Sequence, residues 1–158
     1  MSRADRVFLD AGMFIGALLA GDPRHTEARG IVEAAREGRL NACTSVGVLA
    51  EVYAALTWVG ALPPQLPQEA ATAVRALASS PSAIVILDTA LPAGLRMLEL
   101  AARHGLTARR IHDARHAATA LVCSVYRVFT YDIEDWRIFS PDGIVIAGPP
   151  SVLQLPTH

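Results

Sequence analysis

The chain has 158 residues, 52% hydrophobic and 18% charged, with a formal net charge of −1; this length suits a single domain over residues 1–158. A net charge near zero gives no global reason to expect nucleic acid as a partner, so any such reason must be local. All 14 basic residues are Arg, which excludes a P-loop with its phosphate-binding Lys and enzymes that form a Schiff base.

The first half of the chain alternates apolar runs with polar turns. Val7–Leu9 is an apolar run that ends at Asp10 and predicts a strand. The helices that follow show apolar residues at helical spacing and stop at Gly, Pro or polar residues. These predicted helices cover residues 13–20, residues 26–37, a segment from a cap at Thr44 or Ser45 to Trp58, and residues 68–78 after a proline-rich loop.

The second half continues the alternation and sets the expected fold class. Short β-branched and apolar runs predict strands, and longer periodic segments predict helices. The predicted strands are residues 83–87, 127–130 and 144–146, and the predicted helices are residues 89–103 and 111–123. Strands that alternate with helices predict a three-layer α/β/α fold around a central, mostly parallel sheet. In such folds, ligands bind beyond the carboxyl ends of the strands.

The sequence indicates neither a membrane span nor a leader. No apolar run reaches the length of about 18 residues that a transmembrane helix needs. Residues 1–6 are polar and lead directly into the first strand, unlike a signal peptide. Cys43 and Cys123 stand in apolar surroundings, which favours buried thiols over a disulfide framework or a Cys-rich zinc site. We therefore expect a cytoplasmic protein.

Four acidic residues stand where solvated charges are unusual. Asp10 and Asp132 each follow a predicted strand, Asp113 lies in the first turn of an apolar helix, and Glu51 lies inside another. Each Asp alone has a structural explanation as a helix cap or a turn residue. A charge on a helix as apolar as that of Glu51, however, is seldom buried without a partner or a metal.

Taken together, the four carboxylates predict a metal site. The ends of parallel strands share one edge of a sheet, so Asp10 and Asp132 are expected there, and the helix of Asp113 can begin at the same edge. Converging carboxylates repel one another and raise one another's pKa values unless a cation compensates. Mg²⁺ or Mn²⁺ is the expected cation, because both prefer carboxylate and water oxygens and can activate a water against a phosphate.

Four segments of the chain resemble, in order and spacing, the signature segments of PIN domains, in particular those of VapC-like toxins of type II toxin-antitoxin pairs. The segments are Val7-Phe8-Leu9-Asp10, Leu49-Ala50-Glu51, the stretch from Ile111 to Ala120, and Phe129-Thr130-Tyr131-Asp132. The resemblance implies a PIN-like, Rossmann-like fold and a divalent-metal-dependent endoribonuclease. It also implies that Asp10, Glu51, Asp113 and Asp132 bind one or two ions, with Asp10 and Asp113 as the principal ligands.

The resemblance extends to three neighbouring positions. Thr130 is expected to orient a water or a carboxylate through its hydroxyl group. Asp135 precedes Trp136, as in the acidic-aromatic pair of VapC-like toxins, so either Asp132 or Asp135 is the fourth acid. The chain departs from the family at Gly12, where a polar Asn or Ser is usual. That difference removes a hydrogen bond near the metal site and can weaken catalysis.

A local concentration of basic residues surrounds Asp113. It suits phosphate contacts with RNA, although an ordinary solvated helix face explains it equally well. The expected RNA-binding residues are Arg109, Arg110, Arg115, His112 and His116, with Arg96, Arg103 and His104 nearby. His112 and His116 are also spaced as in helical zinc sites, but Asp113 stands where a zinc protease needs Glu.

The resemblance further implies an RNA substrate, a cognate antitoxin protein that covers the acidic pocket, and a homodimer. The helices around Ala17, Val52 and Leu56 supply apolar surface that could serve either protein contact, but packing in the core explains these residues as well. Two alternatives remain open. A phosphatase with Asp10 as nucleophile needs a second Asp at position 12 and a Lys, and both are missing. A catalytically impaired PIN-like binding module has support only from Gly12.

Overall fold

A computed structural model describes residues 5–154, so the expected domain ends at Met1 and His158 lie outside the described residues. These residues contain five strands: β1 (Val7–Leu9), β2 (Ala42–Ser45), β3 (Val85–Leu87), β4 (Arg127–Phe129) and β5 (Val145–Gly148). The strands form one sheet in the order β3-β2-β1-β4-β5, and each neighbouring pair is parallel.

Helices connect the strands and cover the sheet. They are α1 (Ala11–Leu18), α2 (His25–Arg36), α3 (Val46–Thr57), α4 (Pro67–Ala78), α5 (Leu91–Arg103), α6 (Ile111–Val122), α7 (Ile133–Arg137) and α8 (Pro150–Leu153). Successive strand residues point to opposite faces of a sheet. In β1 all three are at most 1% exposed, so both faces of the sheet are covered. The predicted three-layer α/β/α fold with a parallel sheet is therefore confirmed.

The register of the central strands brings their carboxyl ends to one level. Leu9 of β1 pairs with Phe129 of β4, and the amide of Asp10 donates to the carbonyl of Phe129 at 3.1 Å. The residue after each strand therefore lies at the same edge of the sheet. We call this edge, where Asp10 and Thr130 stand side by side, the carboxyl edge.

The predicted helices and all four predicted strands agree with the structure to within a few residues, but strand β2 and the short helices α7 and α8 were not predicted. Strand β2 has only four residues, Ala42–Ser45, and two of them are Thr and Ser, so no apolar run marks it. Ser45 also caps α3 through a bond from the Val48 amide. The signal for a helix start therefore conceals the end of the strand.

The core lies between the sheet and the helices, with Phe8, Phe14 and Phe139 fully buried. Val52 and Leu56 are also fully buried, so of the two explanations offered for them, core packing applies. Among the described residues, no helix is both long and apolar enough to cross a bilayer.

Candidate active site

A pocket of about 260 Å³ opens at the carboxyl edge of the sheet. Five parts of the chain supply its acidic side chains: the end of β1, the turn between α1 and α2, the middle of α3, the first turn of α6, and the segment from β4 into α7. The pocket-lining acids are Asp10, Asp22, Glu51, Asp113, Asp132 and Asp135. The structure thus brings together all five of the carboxylates singled out from the sequence and adds Asp22.

Asp10 is held in one orientation by three hydrogen bonds. Its Oδ1 accepts from the Ala11 amide at 2.9 Å, and its Oδ2 accepts from Thr130 Oγ1 at 2.7 Å and from Trp136 Nε1 at 3.0 Å. The residue is 5% exposed, so these bonds compensate for the lost solvation of a buried charge. Asp10 caps α1 and also lines the pocket, so a role as a helix cap is compatible with a role as a metal ligand.

Thr130 connects two of the acidic positions. It is fully buried, donates its hydroxyl proton to Asp10, and accepts a bond from the Asp132 amide at 2.9 Å. It is not part of the pocket wall. Its hydroxyl therefore orients a carboxylate and the backbone that carries the next one.

The acids in the pocket raise one another's pKa values. Burial, together with the charges of Asp135 and Asp10, raises the pKa of Asp113 to about 6, although Arg110 opposes the shift. The Arg110 Nε lies 3.7 Å from Asp113 Oδ2. Desolvation and the charges of Asp10 and Asp135 raise the pKa of Asp132 as well. The pocket thus holds more negative charge than its own cations balance.

Glu51 has a partner that sequence reasoning did not identify. Its Oε1 lies 2.7 Å from Nε2 of His116, a residue of α6 that is 3% exposed. Burial raises the pKa of Glu51, but the hydrogen bond and the charges of His116, Arg115 and His112 outweigh that effect and lower it overall. Glu51 therefore remains ionised at the edge of the pocket.

The donor chemistry of the pocket fits a hard divalent cation. Six carboxylates line a small polar space, and the pKa values of Asp113 and Asp132 are raised first by burial and then by the charges of neighbouring acids, both of which a cation would offset. Across residues 5–154, no three Asp, Glu, His or Cys side chains stand close enough to form a preassembled ligand set. A cation would therefore need to draw the carboxylates together.

The basic residues around Asp113 fall into two groups. Arg96 and Arg103 form ion pairs with Glu99 within α5, and Arg103 and His104 contact Asp142, which precedes β5, so these three side chains have acidic partners away from the pocket. Arg109, Arg110 and His112 are exposed beside the pocket. Arg115 lies against Gly47 at the start of α3, where a Cβ on Gly47 would be 2.7 Å from Arg115 Nη2.

His112 and His116 do not form a matched pair. His112 is exposed and His116 is buried against Glu51, so their i, i+4 spacing does not produce a shared zinc face. The sequence also suggested that His116 contacts RNA phosphate. The burial of the His116 side chain is incompatible with such a contact at the surface.

Asp22 and Arg24 line the pocket but were not predicted. They lie in the turn between α1 and α2, where Asp22 Oδ1 accepts from the Arg24 amide at 2.8 Å. The guanidinium of Arg24 stacks on the ring of Tyr131, 4.4 Å from its centroid. The sequence Gly21-Asp22-Pro23 signals only the end of a helix, and the direction of the turn depends on how α1 packs against α2.

Gly12 lines the pocket in the first turn of α1. A Cβ at this position would meet Tyr131 Cδ2 at 3.5 Å, an ordinary contact distance. A Cβ therefore fits at this position.

The fold of the chain is similar to that of several solved toxins. VapC20 of Mycobacterium tuberculosis, a sarcin-ricin loop cleaving toxin, matches with a TM-score of 0.68 at 21% identity over 90% of this chain and 99% of that one. A toxin-antitoxin complex from Klebsiella pneumoniae matches with a TM-score of 0.58 at 18% identity, over 89% of this chain and 96% of that one. VapBC2 from Rickettsia felis, bound to a promoter DNA fragment, matches with a TM-score of 0.61 at 17% identity, over 89% of this chain and 97% of that one.

Sequence comparison identifies the family. No curated protein sequence matches the chain significantly. The family model described as the PIN domain, in contrast, matches residues 7–136. That range includes the four segments in which the resemblance was found and all the acids that line the pocket. The chain therefore belongs to the PIN domain family.

Proposed function

We propose that this protein is a divalent-metal-dependent endoribonuclease that hydrolyses RNA phosphodiester bonds, and that it is the toxin of a toxin-antitoxin pair. The observation that carries the proposal is the acidic pocket at the carboxyl edge of a PIN domain, where Asp113 and Asp132 have raised pKa values. We also propose that residues 1–158 form a single domain and that the protein is cytoplasmic.

The proposed roles follow from the position of each side chain. Asp10 and Asp113 are the principal metal ligands, and Glu51 with Asp132 or Asp135 completes the set. When bound, Mg²⁺ or Mn²⁺ would supply charge stabilisation for a phosphate and a more acidic water. Asp10 is oriented by Thr130 and Trp136, so its carboxylate has little rotational freedom to lose on binding.

RNA is proposed to approach over the start of α6. Arg109, Arg110 and His112 are exposed there, and Arg115 lies between α6 and the first turn of α3. Arg guanidinium groups bind phosphate through two parallel hydrogen bonds, so this group suits a backbone on either side of the scissile bond. Binding through these residues should weaken as salt is added.

Cleavage of a mixed RNA substrate tests the proposed activity. The protein should be purified free of any partner and assayed with Mn²⁺ and with excess chelator, beside the variants Asp10→Asn and Asp113→Asn. We expect the wild type to cleave RNA only when metal is present, and neither variant to cleave it. Glu134→Gln is the control, because Glu134 is 83% exposed and forms only a surface pair with Arg137. Metal-independent cleavage by the wild type, or full activity of Asp113→Asn, would refute the proposal.

The second candidate function is a catalytically impaired binding module, which Gly12 favours. Gly12→Ser and Gly12→Ala distinguish the two, because a Cβ fits at this position and only Ser adds a hydroxyl group to it. A wild type that binds RNA without cutting it, and a Gly12→Ser variant that cuts, would support the binding module. Equal cleavage by the wild type and both variants would exclude it.

An antitoxin is proposed to cover the pocket and an apolar hollow beside it. The hollow has a volume of about 290 Å³ and shares Ile15 and Asp22 with the acidic pocket. Trp58 and Leu62 line it and are more than half exposed, and Val59, next to Trp58 in the chain, is exposed as well. Inhibition of RNA cleavage by the product of an adjacent reading frame, and its loss in the double variant Val59→Ser/Leu62→Ser, would support this contact.

A homodimer is proposed through α5. Leu91, Leu95 and Leu98 share one face of that helix at helical spacing, and each is more than half exposed. Light scattering measures the mass of the particle in solution. We expect a dimer for the wild type and a monomer for Leu95→Glu; a monomeric wild type would contradict the dimer.

A further inference from the structure

His116 is the buried basic group closest to the proposed metal ligands. It lies on α6 one turn after Asp113 and reaches the pocket from the core side, where it is 3% exposed. The i, i+3 spacing places both side chains on one face of the helix. Its Nε2 lies 2.7 Å from Glu51 Oε1, a contact that joins α6 to α3.

The surroundings of His116 determine which nitrogen carries the proton. Nδ1 is buried and, within residues 5–154, has no hydrogen-bond partner. A buried N–H group without an acceptor is rarer and costlier than a buried lone pair. Among the neutral tautomers, the one with its proton on Nε2 avoids that cost, and in the charged imidazolium Nε2 carries a proton as well; in both forms His116 is the donor and Glu51 the acceptor.

The contact restricts a side chain that is otherwise free to move. Glu51 lies in the middle of α3 with its side chain 40% exposed. A glutamate in that setting has several accessible rotamers, and fixing them costs conformational entropy when a ligand binds. The bond to His116 engages Oε1 but not Oε2 of Glu51, a residue that lines the pocket.

We propose that His116 is a positioning residue that holds Glu51 as a preoriented metal ligand. The inference rests on the proposed metal-dependent function and adds to it a residue outside the set of acids. The competing explanation is that the pair only fastens α6 to α3. The two explanations differ in what they predict for metal affinity in the absence of RNA.

Two substitutions separate orientation from packing. His116→Leu introduces an apolar side chain of similar volume and removes the hydrogen-bond donor. The half-exposed Glu51 can then turn to water. His116→Gln offers an amide N–H to Glu51 in place of the imidazole. Partners that orient a metal ligand typically contribute tenfold to hundredfold in affinity.

Calorimetric titration of the full chain with Mn²⁺, without RNA, measures that affinity. We expect the dissociation constant of His116→Leu to rise at least about tenfold and that of His116→Gln to stay within about threefold of the wild type. Melting temperatures in chelator should differ little among the three proteins. Equal Mn²⁺ affinity of the wild type and His116→Leu would overturn the inference while leaving the metal site itself intact.

A double-mutant cycle with Glu51→Gln tests whether His116 acts through Glu51. If it does, His116→Leu should weaken Mn²⁺ binding in the wild-type background and have almost no effect in the Glu51→Gln background. Additive losses would show that His116 acts by packing alone. A wild type that binds no Mn²⁺ would overturn both the inference and the proposed function, which distinguishes that failure from the others.

Discussion

At the scale of single residues, burial separates the acids of the pocket into different roles. Asp10 is almost fully buried and makes three hydrogen bonds, whereas Asp113 has a side chain that is 30% exposed and pairs loosely with Arg110. The first is rigid and the second can move toward a cation. The sequence predicted that both lie at one edge of the sheet, because each follows or begins a recognisable element.

Thr130 provides the most direct test of how Asp10 is held. In Thr130→Val, Asp10 loses a buried donor, so we expect the free energy of unfolding to fall by about 1–3 kcal/mol and cleavage to fall about tenfold or more. Thr130→Ser retains the hydroxyl group and should lose only about 1 kcal/mol with its methyl group. Chemical denaturation and cleavage rates measure both effects, and indistinguishable Val and Ser variants would argue against the role of the hydroxyl.

At the scale of elements, helix α6 brings three functional side chains to different neighbours. Asp113 faces the pocket, Arg115 lies against the start of α3, and His116 contacts Glu51. The sequence predicted the helix but not these directions, because its second half is apolar on nearly every face. Its rotation is therefore set by packing, and the His112–His116 spacing alone suggested the wrong pairing.

The contact between Arg115 and Gly47 leads to a prediction about RNA binding. In Gly47→Ala the new Cβ would lie within 2.9 Å of three guanidinium atoms of Arg115, so the guanidinium must move. Because it ends a flexible side chain, we expect little change in stability but weaker RNA binding, as for Arg115→Ala. Gly94→Ala is the matched control, since a Cβ there meets no atom within 4 Å.

Fluorescence anisotropy of a labelled RNA in excess chelator measures this binding without cleavage. Gly47→Ala should bind more weakly than Gly94→Ala, and the difference should shrink as salt is added. Equal RNA affinity of the two variants would remove Arg115 from the proposed RNA-binding surface.

At the scale of the whole molecule, the clustered acids make the stability of the metal-free protein depend on pH. The folded-state pKa of Asp113 is about 6, above its ordinary value of 3.8, and that of Asp132 is also raised. Between these values the folded state binds more protons than the unfolded state, so the stability that these acids contribute is lost as pH rises from about 4 to 6. Glu27 and Glu51, with lowered pKa values, act in the opposite direction at lower pH.

Comparison with Asp113→Asn isolates the contribution of one acid. In chelator, we expect the variant to melt at a higher temperature than the wild type at pH 7, and the difference to diminish at pH 4.5. Adding Mn²⁺ at pH 7 should stabilise the wild type more than the variant. A difference in melting temperature that does not change with pH would show that the folded protein does not raise the pKa of Asp113.

The sequence thus predicted the fold class, the elements except β2 and the short helices α7 and α8, and five of the pocket acids. Each of these signals is local: a strand end, a helix start or a charge on an apolar helix. The positions of Asp22 and Arg24 and the partner of Glu51 depend instead on how helices turn and pack against one another. Such long-range geometry leaves no pattern in neighbouring residues.

The central claim is that one metal-binding pocket cuts RNA, and titrating Mn²⁺ into a single partner-free preparation tests it most directly. Calorimetry would give the Mn²⁺ concentration at half-saturation, and a parallel assay would give the concentration for half-maximal RNA cleavage. We predict that the two concentrations coincide for the wild type and that Asp113→Asn loses both binding and cleavage. Cleavage that persists in excess chelator, or that survives in a variant with no Mn²⁺ binding, would contradict the claim.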